Sequence, residues 1–490
     1  MFNIKQNIFI LFISFLIIFL PLQLFVFLDN TLLFSTFIKA EIIVILMCIP
    51  IIYYFRFSNS KYEAPLIPLF CIYFIISFIF PFGFFEEEIF NTYVKLCMNK
   101  DNIVPSGLSV LEAKFCNYKD DLFIDDIVNK LLITSISFLI GYLVSRKMFS
   151  SININLDFLE IEELKKIKIL LIFLIIVILA KKFIYTGYIP IYTQSIIPLS
   201  YLMSGLCIYV LTRESSKLRF ILLLPILIII IKDIIDGYIS FPVLLSFFSL
   251  TLYCVFKKKF PILFIFILFI LMNIAHLFKY EHRKNLQSYQ NSSNSEKFSI
   301  YKNSINSIIS QNSFKNNIQN NLQRISHPLN SFAIIKKRTP AEIPFWNGYS
   351  YKLLVSKVIP RILWKDKPSD TIGNQVGKRY RVLNPSDNKT SWNLPVINEF
   401  YVNFGNTGLI IGTFLLSIFM YLISVIFKSS KNSNILTIFS IYISFKLFFL
   451  ESHLSMVFGN LIQNIALLSI PIIVLNYKKF KNVKSIISIR

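Results

Sequence analysis

The feature that most constrains this chain is a series of apolar runs, each 16 to 22 residues long. About 20 apolar residues at 1.5 Å rise cross a bilayer core of roughly 30 Å. Such runs lie near 8–28, 35–55, 65–85, 124–144, 167–185, 194–212, 220–238, 241–256, 260–278, 406–427, 435–450 and 461–476. A backbone amide finds no water in lipid, so helices are the economical way to build them. The expectation is an all-α polytopic membrane protein of about 12 transmembrane helices. Composition excludes the two or three soluble domains that 490 residues would otherwise suggest, since 55% are hydrophobic and only 16% charged. The first run follows Met1-Phe-Asn-Ile-Lys5 but precedes Pro21-Leu-Gln-Leu24 rather than a small-residue cleavage site, which reads as a retained helix.

Lys and Arg in short loops set the orientation. Arg56 and Lys61, Arg146 and Lys147, Arg213 and Lys217, Lys257 to Lys259, and Lys428 with Lys431 alternate with connections holding Asp29, Glu86 to Glu88, or almost no charge. Both termini are therefore expected in the cytoplasm, with Lys181 and Lys182 the main exception. This divides the chain into helices one to nine (1–278), a large outer loop (279–405), and helices ten to twelve with a cytoplasmic tail (406–490). Cys97 and Cys116 share one outer loop, where a disulfide and two free thiols are both open. Neither Cys nor His shows metal-ligand spacing. Asp120-Asp121 and Asp125-Asp126 form carboxylate pairs, read as a solvated acidic loop ahead of a cation site; the working assumption is metal-free chemistry, with no cofactor.

The outer loop carries the chemistry. From Lys279 to Asn403 it holds 19 Lys/Arg against 7 Asp/Glu, a net of +12 in a chain whose total is +23. A basic surface there suits an anionic partner, and no nucleic-acid partner is expected. Ile305, Ile308, Ile309, Ile318, Leu322, Ile325 and Leu329 recur at helical steps and predict an amphipathic helix, after a linker-like stretch of about twenty residues. Beyond it lie all three Trp (Trp346, Trp364, Trp392) among turn-forming Pro and Gly. Aromatic faces suit sugar rings, and Arg and Lys suit phosphate. The ligand class so described is carbohydrate attached to phosphate.

Three blocks carry a resemblance: Pro344-Phe-Trp-Asn-Gly-Tyr-Ser-Tyr351, Ile359-Pro-Arg-Ile-Leu-Trp-Lys-Asp-Lys-Pro368 and Glu399-Phe-Tyr-Val-Asn-Phe-Gly-Asn-Thr-Gly408. With Thr186-Gly-Tyr-Ile-Pro190, where Tyr188 replaces a second Gly, they resemble the O-antigen (oligosaccharide repeat-unit) polymerase family of the Wzy type. The resemblance implies a GT-C-like glycosyltransferase of the bacterial inner membrane with its large loop in the periplasm. It would transfer a growing glycan from undecaprenyl diphosphate onto a new lipid-linked repeat unit. Its partners would be undecaprenyl-diphosphate-linked oligosaccharides, the lipid bilayer and, in addition, a polysaccharide chain-length regulator.

Transfer from a lipid diphosphate needs cations for the leaving group and a base for the acceptor hydroxyl. Arg361 is the expected diphosphate clamp, with Arg324, Lys365, Lys367, Arg379 and Arg381 as supporting cations. Trp364 and Tyr351 offer sugar-stacking surfaces. Glu399 is the expected catalytic base, although its position also suits a helix N-terminus; Asp366 and the substrate-contacting His453 are alternatives. Lys232, Asp233 and Asp236 are charges within or beside a span. Two rival activities share the architecture. An O-antigen ligase-like enzyme would rely on an outer-loop His such as His282 or His327, and a lipid-linked oligosaccharide flippase would show internal repeats.

Overall fold

The computed structural model describes residues 34–57, 65–84, 121–257, 326–477 and 487–489 apart from short gaps, among them 360–363, 365 and 367–369. Within them α1 (Phe34–Phe57) is followed by α2 (Leu66–Phe74), a π-helical turn (Ile75–Ile79) and α3 (Phe80–Phe84). Then come α4 (Asp121–Phe149), α5 (Leu164–Ile184), α6 (Pro190–Arg213), α7 (Leu224–Ile235) and α8 (Ser240–Lys257). After the segment 258–325, α9 (His327–Arg338), a 3-10 turn (Tyr349–Tyr351), α10 (Lys352–Val358) and α11 (Ile372–Arg379) precede the last three long elements. These are α12 (Val396–Ile426), α13 (Ile435–Leu447) and α14 (Leu454–Leu475). The one sheet among the described residues is a ribbon of β1 (Ile152–Ile154) antiparallel to β2 (Ile487–Ile489), with Asn153 opposite Ser488.

Among the described residues, four helices are long and apolar enough to cross a membrane, over Ser35–Tyr54, Phe123–Phe149, Val396–Ile426 and Leu454–Leu475, and shorter apolar helices accompany them. On α5, Ile169, Ile172, Phe173 and Ile176 recur at helical steps and are each more than half exposed. Ile411 and Leu415 of α12 are likewise more than half exposed. An apolar stripe turned outward is the reverse of a soluble amphipathic helix, and lipid is the solvent it fits. This is the architecture of an α-helical membrane protein. The expected spans at 8–28 and 260–278, together with Cys97, Cys116 and the helical pattern from Ile305 to Ile325, lie outside the described residues.

Among the described residues the most extensive helix pair is α4 with α12. In lipid there is little hydrophobic drive between helices, so close approach and interhelical hydrogen bonds carry the packing. Small residues permit it. A Cβ on Gly141 would meet Ser417 Oγ at 2.1 Å and the Phe414 carbonyl at 2.6 Å. The Ser137 hydroxyl donates to the Ile410 carbonyl and Thr413 Oγ1 to the Thr134 carbonyl, both across the interface.

Polar contacts gather the helix ends. Thr36 and Lys39 of α1 bond Asp125 at the start of α4. Asp126 pairs with Lys130 and with Lys336 of α9, so the acidic pairs read as solvated are in part latches between elements. Asn398 ties the start of α12 to α9 through the Pro328 carbonyl (2.9 Å) and Ser331 Oγ (2.7 Å). One end of the bundle thus holds the N-termini of α1, α4, α12 and α14 and the C-terminus of α13. At the other end, Glu160 accepts the Asn434, Ile435 and Leu436 amides and caps α13.

Two boundaries differ from expectation. The helix expected from 406 starts at Val396, and the one expected from 461 starts at Leu454. Hydropathy finds the apolar stretch, whereas hydrogen bonds at polar residues such as Glu399 and Asn403 extend these helices beyond it.

Candidate functional site

The site is built around a break in α12. Phe404 (φ −140°, ψ 15°) and Gly405 (φ 59°, ψ −135°) interrupt the helix, and only glycine adopts the second conformation without strain. A Cβ on Gly405 would also sit 2.8 Å from Phe345 Cζ. The residue before the break, Asn403, explains the pairing of two of the sequence blocks. Its Oδ1 accepts the Gly348 amide (2.9 Å), its Nδ2 donates to Ser350 Oγ (2.8 Å) and the Glu399 carbonyl (2.9 Å), and its own carbonyl accepts the Asn347 amide. The Trp346 amide donates to the Val402 carbonyl. The Pro344–Tyr351 block is therefore clipped onto the Glu399–Gly408 block by backbone and amide bonds, and the rings of Tyr351 and Phe404 stack 6.3 Å apart.

Glu399 lies one turn before Asn403 and is fully buried. Its Oε2 accepts the Leu454 amide at 2.6 Å, so it caps α14, whose N-terminal amides lack helical partners. Its Oε1 makes no hydrogen bond among the described residues. Burial, reinforced by the Glu399 charge, pushes the Tyr351 phenol above its ordinary range.

His453 is the residue before α14, and its Nε2 lies 2.8 Å from Asp370 Oδ2. The same oxygen is 2.9 Å from Lys357 Nζ, and Asp370 Oδ1 accepts the Ile372 amide. Burial alone would raise the Asp370 carboxyl, but the hydrogen bond and charge of His453, with those of Lys357, outweigh it and hold the group well below the usual carboxylate range. An ionised carboxylate only accepts, so the proton between the two belongs to Nε2. In the neutral imidazole Nδ1 then carries the lone pair, and Nδ1 has no hydrogen-bond partner among the described residues. Lys357 is held by its backbone as well. Gln463 Nε2 donates to its carbonyl at 2.7 Å, and Gly459 of α14 leaves room for its Cβ.

The structure thus brings Glu399 and His453, 54 positions apart, onto the head of one helix and adds Lys357 and Asp370 to them. Tyr351 joins this group. Arg379 does not: its Nη2 donates to the Pro344 carbonyl and its guanidinium lies 5.4 Å from the Trp346 ring centroid, which braces the aromatic block. Arg381 is exposed and has a left-handed backbone (φ 57°), where the chain leaves α11 through bonds from Val382 and Leu383 to the Gly377 carbonyl. Trp364 and Asp366 are exposed. Arg324, Arg361, Lys365 and Lys367 lie outside the described residues. The flanks of the Arg361 block are nonetheless fixed, because Lys357 and Asp370 on either side of it form the ion pair just described.

Sequence reading missed Lys357, Asp370 and the double-sided role of Asn403. Asp370 stands between Ser369 and Thr371 in no motif, and only its proximity to His453 marks it out. Asn403 could have been suspected, since it is the last polar side chain before a Phe-Gly pair inside an apolar helix.

A family model described as "Domain of unknown function (DUF8712)" matches residues 106–484, a stretch that contains every element of this site. No curated protein and no solved structure matches the chain.

Proposed function

The chain belongs to the DUF8712 family, and from the residues gathered at the head of α14 we propose that it is a polysaccharide polymerase. It would sit in the bacterial inner membrane as a GT-C-like protein of about twelve spans, with its termini in the cytoplasm and its large loop in the periplasm. It would move a growing glycan from undecaprenyl diphosphate onto a new lipid-linked repeat unit. A chain-length regulator is a further partner of the same proposal.

The observation that carries the reading is the ion pair between Lys357 and Asp370. It anchors both flanks of the Arg361-bearing block beside Glu399 and His453. Cations for a leaving diphosphate and a proton acceptor for a sugar hydroxyl are what such a transfer requires, and the ion pair ties the chain on either side of Arg361 to the histidine proposed to take the proton. In the proposed division of labour Arg361, with Arg324, Lys365 and Lys367, meets the diphosphate oxygens. As the bond from the sugar to the diphosphate breaks, the acceptor oxygen bonds the anomeric carbon and loses its proton to the Glu399–His453–Asp370 group. Within that group Asp370 fixes the His453 tautomer, and Glu399 holds the backbone at the head of α14. Trp364 and Tyr351 would line the saccharide path.

In a deletion strain complemented with Arg361→Ala, the surface glycan should consist of single repeat units without long chains, as seen on a gel. Normal chain lengths at normal protein level would remove Arg361 from the chemistry. One observation favours a second reading. The hydrogen-bonded His453 beside a carboxylate suits a ligase-like transfer to a lipid core, for which the deletion strain would instead accumulate lipid-linked polymer. Lipid-linked units trapped on the cytoplasmic side would point to a flippase.

A further inference from the structure

The outward apolar face of α12 does not stop where the helix breaks. A Cβ on Gly408 would sit 3.1 Å from Cβ of Phe404, so the Phe404 side chain leaves the backbone over Gly408. Ile411 and Leu415, three and seven positions beyond Gly408, carry the same face down the helix and are exposed. Phe404 itself is 46% exposed, a large ring at the head of a stripe that meets lipid. The far edge of that ring, Cζ, lies 3.3 Å from where a Cβ on Gly348 would be. The next residue, Tyr349, is 42% exposed, and the Lys352 ammonium lies 5.5 Å from its ring centroid.

The neighbouring helix changes character at the same height. The Ser137–Ile410 bond and the approach of Gly141 to Phe414 set α4 and α12 side by side in parallel register. Lys130 precedes Ser137, and Phe404 precedes Ile410, by about 10 Å of helix each. From Lys130 outward α4 carries the paired Asp126 and Asp125, whereas on the other side of that level Ile136, Ile140 and Leu143 are its exposed residues. From Phe404 to Ile426 the helix rises about 33 Å, against a hydrocarbon thickness of roughly 30 Å. Rings beside a cation, at a change from charged to apolar surface, are the pattern of a membrane-interface anchor. Lipid is the occupant favoured here, because the rings continue a face that already meets it and the ammonium complements its phosphate. We propose that Phe404 and Tyr349, with Lys352, anchor this end of the bundle in the headgroup layer of the bilayer, so that the break in α12 marks the edge of the hydrocarbon. Glu399, five positions before Phe404, then lies about 8 Å further out. The proposal rests on the membrane architecture alone and stands whether or not the chain polymerises glycans.

The test is fluorescence quenching of full-length Phe404→Trp, read as the emission it adds to that of the wild type. The protein is reconstituted in phosphatidylglycerol vesicles containing phosphatidylcholine brominated either just below the headgroup or near the chain ends. Bromine near the headgroup should quench the added emission at least about twofold more than bromine near the chain ends. Tyr349→Trp should follow the same order, and serves if Phe404→Trp does not elute as a folded species. Equal or stronger quenching near the chain ends would put the ring deep in the hydrocarbon. Quenching by aqueous iodide and by neither lipid would put it in water, facing a soluble ligand such as a glycan. Shielding from all three would mean that protein covers it, a second copy included. Each of these results overturns the proposal.

Discussion

Replacing Gly405 by alanine tests whether the break in α12 fixes the site. Two effects add. At φ 59° and ψ −135° a residue with a Cβ is strained by about 1–3 kcal/mol. The new methyl also lands 2.8 Å from Cζ and 3.1 Å from Cε1 of Phe345. That ring packs against Tyr401 with centroids 6.1 Å apart, so moving it costs about 1–3 kcal/mol. The clash is with the far end of a side chain, which can yield somewhat, so the lower part of the second range applies. The total is about 3 kcal/mol, or a little over a hundredfold in an opening equilibrium. The clip that would open is identifiable: the Trp346, Asn347 and Gly348 amides bond the Val402 carbonyl, the Asn403 carbonyl and Asn403 Oδ1. Hydrogen exchange read by mass spectrometry on peptides covering 344–351 should therefore accelerate about a hundredfold, while peptides from the second half of α14 keep their protection. Exchange in the clip within about threefold of wild type would refute the account of the break.

Asp370→Asn removes the anion shared by Lys357 and His453, so the detergent-solubilised protein should lose about 2 kcal/mol. Because the folded Asp370 pKa is depressed, its contribution is present above the unfolded value of about 3.9 and fades as pH falls through the lower folded value. Wild type and variant should thus converge in thermal stability only in strong acid; a gap that closes near neutrality counts against the pairing. Glu399→Gln keeps an acceptor for the Leu454 amide, so it should be more stable than Glu399→Ala by about 1 kcal/mol in chemical denaturation. Equal stabilities would mean that the cap is not operating. Glu160→Ala exposes the first amides of α13 and should destabilise by about 1–2 kcal/mol, readable as a lowered melting temperature.

Much of the bundle was legible in advance, for a plain reason. A span in lipid must be a helix and must be apolar, so α1, α4 and α8 coincide with their expected runs to within a few residues. Where polar residues join a helix the rule loses its grip. The first turns of α12 contain Asn398, Glu399 and Asn403, each buried and each bonded to another element, and hydropathy ends the span short of them. The site was half legible. Glu399 and His453 carry chemistry that can be named from type alone, and the fold puts both at the head of α14. The assignment of Arg379 and Arg381 to one set of cations was not something charge could decide, because one braces a tryptophan and the other sits where the chain leaves α11.

By itself the chain dictated an apolar helical bundle and a basic, tryptophan-bearing loop, because hydropathy and net charge are sums over residues and do not depend on who touches whom. The tertiary structure alone decided the rest. It made Asn403 a clip rather than a stray amide, turned Asp125 and Asp126 into latches, and set Lys357 and Asp370 beside a histidine far along the chain. Hydrogen bonds and ion pairs act over about 3 Å, and separations along a sequence carry no information at that range.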